Sequence, residues 1–202
     1  MDIHQSTLEQ NEKFINIFVR VFHWSLAFIF VILFVTGERG DGSDIVHIFF
    51  GYLLTSIIFS RIVWGFFGNS DALWLKYLHS PVQVVSYLRN MLKKGHRSYQ
   101  LHNPAGSSMI LVMILLLVIL TSSGILVEAV FEFEGVLYFI SNLVNDSQAV
   151  LIKKIHSLVA HIMLIVIALH IAGVIYSSYA YKVNMPLMMI TGKINFFKNK
   201  EK

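Results

Sequence analysis

The chain of 202 residues contains no cysteine and few charged side chains. The lack of cysteine excludes disulfide bonds, cysteine-ligated iron–sulfur clusters and haem attached covalently through a C-x-x-C-H motif. Charged residues make up only 14% of the chain and apolar residues 55%, and the mean hydropathy is +0.64. This balance is too apolar for a soluble domain of this length. We therefore expect a membrane protein whose cofactors, if it has any, are held by ligands other than cysteine.

Four apolar runs are long enough to cross a bilayer as helices. None of them alternates cleanly between apolar and polar residues, so a β-barrel is not expected. The first run could be a secretory signal, but it lacks a convincing small-residue cleavage site and contains His23, which favours a permanent helix. The sequence thus predicts an all-α, integral-membrane four-helix bundle that forms a single domain over residues 1–202. The runs lie at about Phe18–Thr36, Ile45–Phe67, Ser107–Val127 and Ile155–Tyr176.

Basic residues are concentrated between the second and third runs and in the C-terminal tail, whereas the other two connections are mainly acidic. The positive-inside rule therefore predicts that both termini and the second connection lie in the cytoplasm. Within that connection Ser80-Pro81 is typical of a helix start, and it precedes a segment with basic and apolar residues on opposite sides. We predict a short basic interfacial helix there. The net charge of +4 fits anionic lipid headgroups, and nothing indicates nucleic-acid binding.

Four of the nine histidines fall at matching depths in these runs. His156 and His170 are separated by about 21 Å along a helix and lie within roughly 40° of one face. Alternating helix directions put His23 at the inner level with His170. They put His47 at the outer level with His156. Ionisable residues inside membrane helices are costly and usually functional. Each level then offers two imidazoles from different helices, as bis-histidine ligation of a haem iron requires, while the third helix has no histidine and is expected to act as a wall.

The same fourteen-residue step leads from the histidine of the first helix to Gly37, and from that of the second helix to Arg61. Gly37, and Gly51 one turn beyond the second histidine, would let a flat macrocycle approach the backbone. Arg61 and Arg20 could neutralise haem propionates. Two plainer interpretations remain open: the glycines could serve helix–helix contact, and the arginines could extend to lipid headgroups.

Other histidines are less informative. His161 points away from the face of His156 and is expected to be a packing or hydrogen-bonding residue. His102 is either a residue at a helix start or a contact for a propionate or a quinone. Trp24, Tyr52 and Arg61 are further candidates for a quinone contact.

Short motifs around these positions resemble bacterial cytochrome b561 proteins and the b-type cytochrome subunits of nickel–iron hydrogenases. The likeness extends over roughly residues 14–195, and as an ordered set the motifs are specific. They are Arg20-Val-Phe-His23-Trp24, His47-Ile-Phe-Phe-Gly51-Tyr52, Arg61-Ile-Val-Trp64-Gly65-Phe66, His102-Asn-Pro-Ala-Gly106, and Ile155-His156 followed by Leu169-His170-Ile-Ala-Gly173.

The resemblance implies two non-covalent haems b, with His23 and His170 on the inner iron and His47 and His156 on the outer iron. It also implies a quinone or quinol as substrate. The expected function is transmembrane electron transfer in a respiratory chain of the bacterial inner membrane. Its partners would be membrane lipid, the quinone pool and a periplasmic cytochrome, dehydrogenase or hydrogenase, and a homodimer is compatible with this.

Two alternatives differ in class. A stand-alone quinone-linked oxidoreductase could act on a small oxidant or reductant such as superoxide. The acidic outer connections disfavour it, while Lys153 and Lys154 favour it. A histidine-lined transporter or proton relay would need polar residues between the two levels. The interiors of the third and fourth helices offer few, so this alternative ranks last.

Overall fold

The computed structural model describes residues 15–38, 45–67, 74, 77–94 and 103–193. Over these residues the chain forms helices and no β-strand. In chain order the elements are α1 (Ile17–Glu38), α2 (Ile45–Phe67), α3 (Pro81–Lys94), α4 (Pro104–Phe131), a 3-10 helix (Tyr138–Leu143), α5 (Asp146–Tyr181) and α6 (Met185–Thr191).

Helices α1, α2, α4 and α5 are each long and apolar enough to cross a membrane, which confirms the predicted all-helical membrane protein with four spans. Helix α5 has 36 residues, or about 54 Å, so it exceeds a hydrocarbon core of roughly 30 Å. It begins well before the predicted apolar run because Asn145 and Gln148 form a capping box. This box satisfies two backbone N–H groups at the helix start.

Two other helix starts are also capped, and the first is the one predicted after Ser80. The Ser80 hydroxyl accepts a hydrogen bond from the backbone N–H of Gln83 at 3.3 Å, and the Gln83 side chain accepts one from the Ser80 N–H at 2.9 Å. Asn103 accepts from the N–H of Gly106 at 2.8 Å, and Pro104 occupies the first turn, where it removes no helical hydrogen bond. The Ser80 cap confirms the predicted start of a helix at this position.

The centre of the bundle is a cluster of buried aliphatic and aromatic side chains from all four long helices. Each helix contributes at positions between the level of His23 and His170 and that of His47 and His156, so this central cluster separates one level from the other. Helix α4 packs against α2 and α5, and α1 packs against α2. The buried members are Ile29, Phe30, Leu33, Leu54, Ile58, Leu117, Leu120, Val159 and Met163.

Helix α6 folds back onto the start of α1. The backbone N–H of Ile15 donates to the carbonyl of Gly192 at 2.9 Å. Gly192 ends α6 at φ +82°, a conformation that favours glycine. A Cβ added there would also lie 3.0 Å from the guanidinium carbon of Arg20. The C-terminal helix therefore closes against the same end of α1 that carries His23.

Candidate functional site

Two pairs of histidines face each other inside the bundle. The ring centroids of His23 and His170 are 6.4 Å apart, with an angle of 48° between the rings. The centroids of His47 and His156 are 6.2 Å apart, with an angle of 76°. All four side chains are partly buried. These are the two pairs that the depth matching predicted, and the structure brings both together.

His47 lies in the first turn of α2 and contacts the last turn of α1. Its Nδ1 atom is 3.0 Å from the hydroxyl of Thr36, and that hydroxyl donates to the carbonyl of Ile32 at 2.8 Å. Because the hydroxyl has one hydrogen and gives it to Ile32, Nδ1 of His47 is the donor to Thr36. A Cβ at Gly37 would lie 3.2 Å from Cε1 of His47. Glycine at position 37 therefore avoids a close contact with the imidazole of His47.

His156 is held in a similar way by α4. Its Nδ1 atom is 3.1 Å from the hydroxyl of Ser123 and 3.1 Å from the carbonyl of Leu120. A carbonyl only accepts hydrogen bonds, so Nδ1 of His156 carries a hydrogen. A Cβ at Gly124 would lie 3.1 Å from Cε1 of this ring.

Both histidines of this level are thus contacted by a dipeptide of the same kind, a hydroxyl residue followed by glycine. We call Thr36-Gly37 and Ser123-Gly124 the hydroxyl–glycine pairs. The sequence interpretation anticipated Gly37 but treated the helix that carries Ser123 as a passive wall. That helix, α4, instead supplies half of the polar support at this level. The available signal was the recurrence of a hydroxyl residue before glycine near the ends of two apolar runs.

The His23/His170 pair has a different environment. Nδ1 of His23 is buried and has no hydrogen-bond partner among the described residues. The Trp24 ring meets the His23 ring edge-on, at 5.3 Å between centroids. Two more buried polar atoms without a partner in the described part of the chain lie toward this end, Nε of Arg20 and the hydroxyl of Ser107.

An open cavity of about 420 Å³ lies between the start of α1 and α6. Its walls include Arg20 and Trp24 and are otherwise largely apolar. Arg20 donates from Nη1 to the carbonyl of Ile190 at 2.6 Å. Trp24 donates from Nε1 to the carbonyl of Met189 at 3.1 Å. Both polar side chains are thereby fixed at the cavity wall.

Arg61 is buried, with 7% of its surface exposed, and does not extend outward as it would to reach headgroups. Its guanidinium carbon lies 4.7 Å from the ring centre of Trp74 and 5.9 Å from that of Tyr77. Trp74 in turn donates to the carbonyl of Ile62 at 3.1 Å. The buried guanidinium is therefore stabilised by cation–π contacts from the segment that follows α2.

The remaining predicted residues lie apart from these contacts. A Cβ at Gly51 would meet no atom within 4 Å, and the same is true of Gly173. The Tyr52 hydroxyl donates to the Glu128 carboxylate at 2.5 Å. His102 lies outside the described residues.

His161 faces outward, as its position predicted. Its Nε2 atom lies 3.4 Å from a carboxylate oxygen of Glu38. Its Nδ1 atom donates to the carbonyl of Ser157 at 2.8 Å. This histidine is therefore paired with a carboxylate, whereas the four histidines discussed above face one another.

The two imidazoles at each level suit a metal that brings further ligands of its own. Among the described residues, no group of three or more histidine, aspartate or glutamate side chains is placed to hold a metal ion. A closed structural site on zinc requires four protein ligands. Haem supplies four nitrogen ligands from its macrocycle and needs at most two more from the protein. Two facing imidazoles therefore fit haem.

Comparison with known proteins gives one family. A family model described as prokaryotic cytochrome b561 matches residues 15–192. No curated protein and no solved structure matches the chain.

Proposed function

The chain belongs to the prokaryotic cytochrome b561 family, whose members are multi-pass membrane proteins that transfer electrons through b-type haem, and on that premise we propose that it binds two haems b. His23 and His170 would hold one iron, and His47 and His156 the other. We refer to the first as the inner site and to the second as the outer site. The inner site faces the cytoplasm in this proposal, in accord with the distribution of basic residues in the sequence.

The separation of the imidazole rings carries this proposal. An imidazole nitrogen bonds a transition metal at about 2 Å, so two imidazoles on opposite sides of one iron have ring centroids roughly 6 Å apart. The pairs have centroid separations of 6.4 Å and 6.2 Å. Histidines brought together only by chance packing would have no reason to share this separation at both levels.

The hydrogen bonds at the outer site favour the same interpretation. Nδ1 of His47 and Nδ1 of His156 each carry a hydrogen that is donated to the protein. In a neutral imidazole the other nitrogen, Nε2, then has the free lone pair. This is the protonation state in which histidine binds a metal. The protein thus prepares both rings as ligands.

Space beside the ligands is consistent with a flat macrocycle. Gly51 lies about one turn from His47 on α2, and Gly173 lies three residues after His170 on α5. An added Cβ would meet no atom at either position. The Ser107 hydroxyl at the inner end is buried and has no partner among the described residues. Such a group suits a carboxylate that haem would bring.

Haem b supplies a reversible one-electron couple on its iron when bound. Held by two histidines, that iron would have no open position for oxygen. The chain's own contribution is to fix the two ligand levels and to fill the region between them with the buried apolar cluster of the four long helices. This arrangement favours electron transfer across the membrane over chemistry on a small ligand.

We place the quinone of the proposed reaction in the cavity between α1 and α6. Trp24 supplies an aromatic wall, and Arg20 has a buried Nε donor without a partner in the described part of the protein. A quinone has a flat apolar ring with carbonyl oxygens that accept hydrogen bonds, so it matches both features. Trp24 in the cavity wall also meets the His23 ring edge-on, so a quinone in the cavity would lie near the proposed inner site.

The opposite end of the bundle carries exposed carboxylates, among them Glu38, Glu132 and Glu134. Their charge would slow a small anion such as superoxide and would attract a protein with a basic surface. We therefore favour a periplasmic redox protein over superoxide as the partner at the outer site.

The first test is haem stoichiometry. Purified protein is expected to contain two haems b per chain and to show a b-type α-band in its reduced-minus-oxidised spectrum. Acid extraction should release all the haem, because the chain has no cysteine for a covalent link. One haem per chain, or no α-band, would contradict the paired-site proposal.

The quinone proposal predicts a specific defect in Arg20→Met. Loss of a charge-assisted hydrogen bond costs about 1.5–3 kcal/mol, so quinol should reduce the haems at least about tenfold less efficiently at low quinol concentration. Reduction by dithionite should be unchanged. Arg89→Met, on the exposed side of α3, is the matched control. Equal quinol kinetics in both variants would show that the cavity does not hold the substrate.

A further inference from the structure

The two histidine pairs differ in what binds the nitrogen that faces away from the partner ring. At the outer site both Nδ1 atoms donate hydrogen bonds, one to Thr36 and one to Ser123 and Leu120. At the inner site, Nδ1 of His23 is buried without a partner among the described residues. The protein therefore supports the ligands of the two sites unequally.

A hydrogen bond donated by Nδ1 increases the electron donation of the imidazole to a metal bound at Nε2. Stronger donation stabilises the higher oxidation state of an iron, which lowers its reduction potential. Because both outer ligands have this support, the effect acts twice on one site.

Fixed charge at the inner level acts in the same direction. Arg20 lies about one turn before His23 and carries a positive charge to this level. Positive charge near a redox centre favours its reduced form. The outer level has charges of both signs, because Lys153 and Lys154 precede His156 while Glu38 and Glu128 lie close to the hydroxyl–glycine pairs.

We infer that Thr36 and Ser123 are positioning residues that make the outer site the more reducing of the two. The inference rests on the proposed pair of bis-histidine sites. A protein that holds a single electron would then hold it mainly at the inner site, next to the cavity between α1 and α6. The hydroxyl–glycine pairs thus orient the ligands and also bias where an electron rests.

The test is a redox titration of the holoprotein followed through the α-band. The wild type should fit two one-electron components, and the lower potential should belong to the outer site. A variant that retains only the outer haem, His170→Ala, assigns the components. In Thr36→Val the lower potential should shift upward while the other stays in place. In Ser123→Ala it should shift upward by less, because the Leu120 carbonyl still accepts from Nδ1 of His156. The double variant should show the larger shift.

The matched controls are other hydroxyl residues of the bundle, on α4 and α2. The hydroxyl of Thr121 donates to carbonyls of its own helix, as does that of Ser60. Thr121→Val and Ser60→Ala should therefore leave both potentials unchanged. Thr36→Ser keeps the hydroxyl and should retain the wild-type value.

The outcomes separate this inference from the proposed function. If the wild type binds fewer than two haems, the paired-site proposal fails. If two haems are bound but the outer site has the higher potential, or if Thr36→Val and Ser123→Ala leave it unmoved, the inference alone is wrong. Should Thr36→Val bind less haem, Ser123→Ala carries the test by the same criterion, with Thr36→Ser as the unshifted control.

Discussion

Replacement of His170 by alanine is expected to leave one haem b per chain instead of two. His170 faces His23 at 6.4 Å between ring centroids, and a haem held by this pair would lose one of its two protein ligands. The His47/His156 pair lies on the other side of the central apolar cluster and should be unaffected. Haem extraction and the α-band amplitude, each relative to protein concentration, give the result directly.

His161→Ala is the control for this experiment. It removes a histidine from the same helix, but its side chain is exposed and bonded to Ser157 and Glu38. The control should retain both haems. Loss of the outer haem in His170→Ala, with the inner one kept, would show that the two levels are inverted. Full haem content in His170→Ala would remove this residue from the ligand set.

The second large effect is expected at Gly65, in the last turn of α2. A Cβ at this position would lie 2.1 Å from Nε1 of Trp74, well inside any permitted contact. Trp74 cannot yield freely, because its ring covers Arg61 and its Nε1 donates to Ile62. Gly65→Ala should therefore reduce the free energy of unfolding by roughly 1–3 kcal/mol. The melting temperature in detergent should fall by about 2–4 °C for each kcal/mol.

The matched background is Trp74→Ala. Without the indole the methyl group of Gly65→Ala meets no obstacle from that side chain, and alanine favours a helix over glycine by up to about 1 kcal/mol. The sign of the Gly65→Ala effect should therefore reverse, from destabilising to neutral or stabilising. The same loss of melting temperature in both backgrounds would disprove the contact as its cause.

Hydropathy and helical periodicity were sufficient for the large-scale arrangement. The four spans follow from unbroken apolar runs, because lipid admits no unpaired backbone groups. The pairing of histidines follows from depth, since a helix of known rise and alternating direction fixes the level of each residue. His23 and His170 could thus be matched although 147 positions separate them in the sequence.

Contacts that depend on helix rotation could not be read in this way. His156 meets Ser123 only because α4 and α5 turn those faces toward each other. Arg61 was predicted from its level alone, whereas its aromatic neighbour Trp74 arrives from the segment after α2. The contact of Arg20 with Ile190 joins the two ends of the chain. Each requires tertiary geometry that neither composition nor spacing contains.

The apolar cluster between the two histidine levels has an electrical consequence. It offers no chain of polar groups along which a proton or ion could accompany an electron between the proposed sites. Those sites are separated by about 21 Å along the helices, roughly two thirds of a hydrocarbon core. Each electron that crosses alone would therefore move charge through most of the membrane voltage, gaining or losing about 1.5 kcal/mol per 100 mV. The rate of electron transfer through the protein would therefore depend on the membrane voltage.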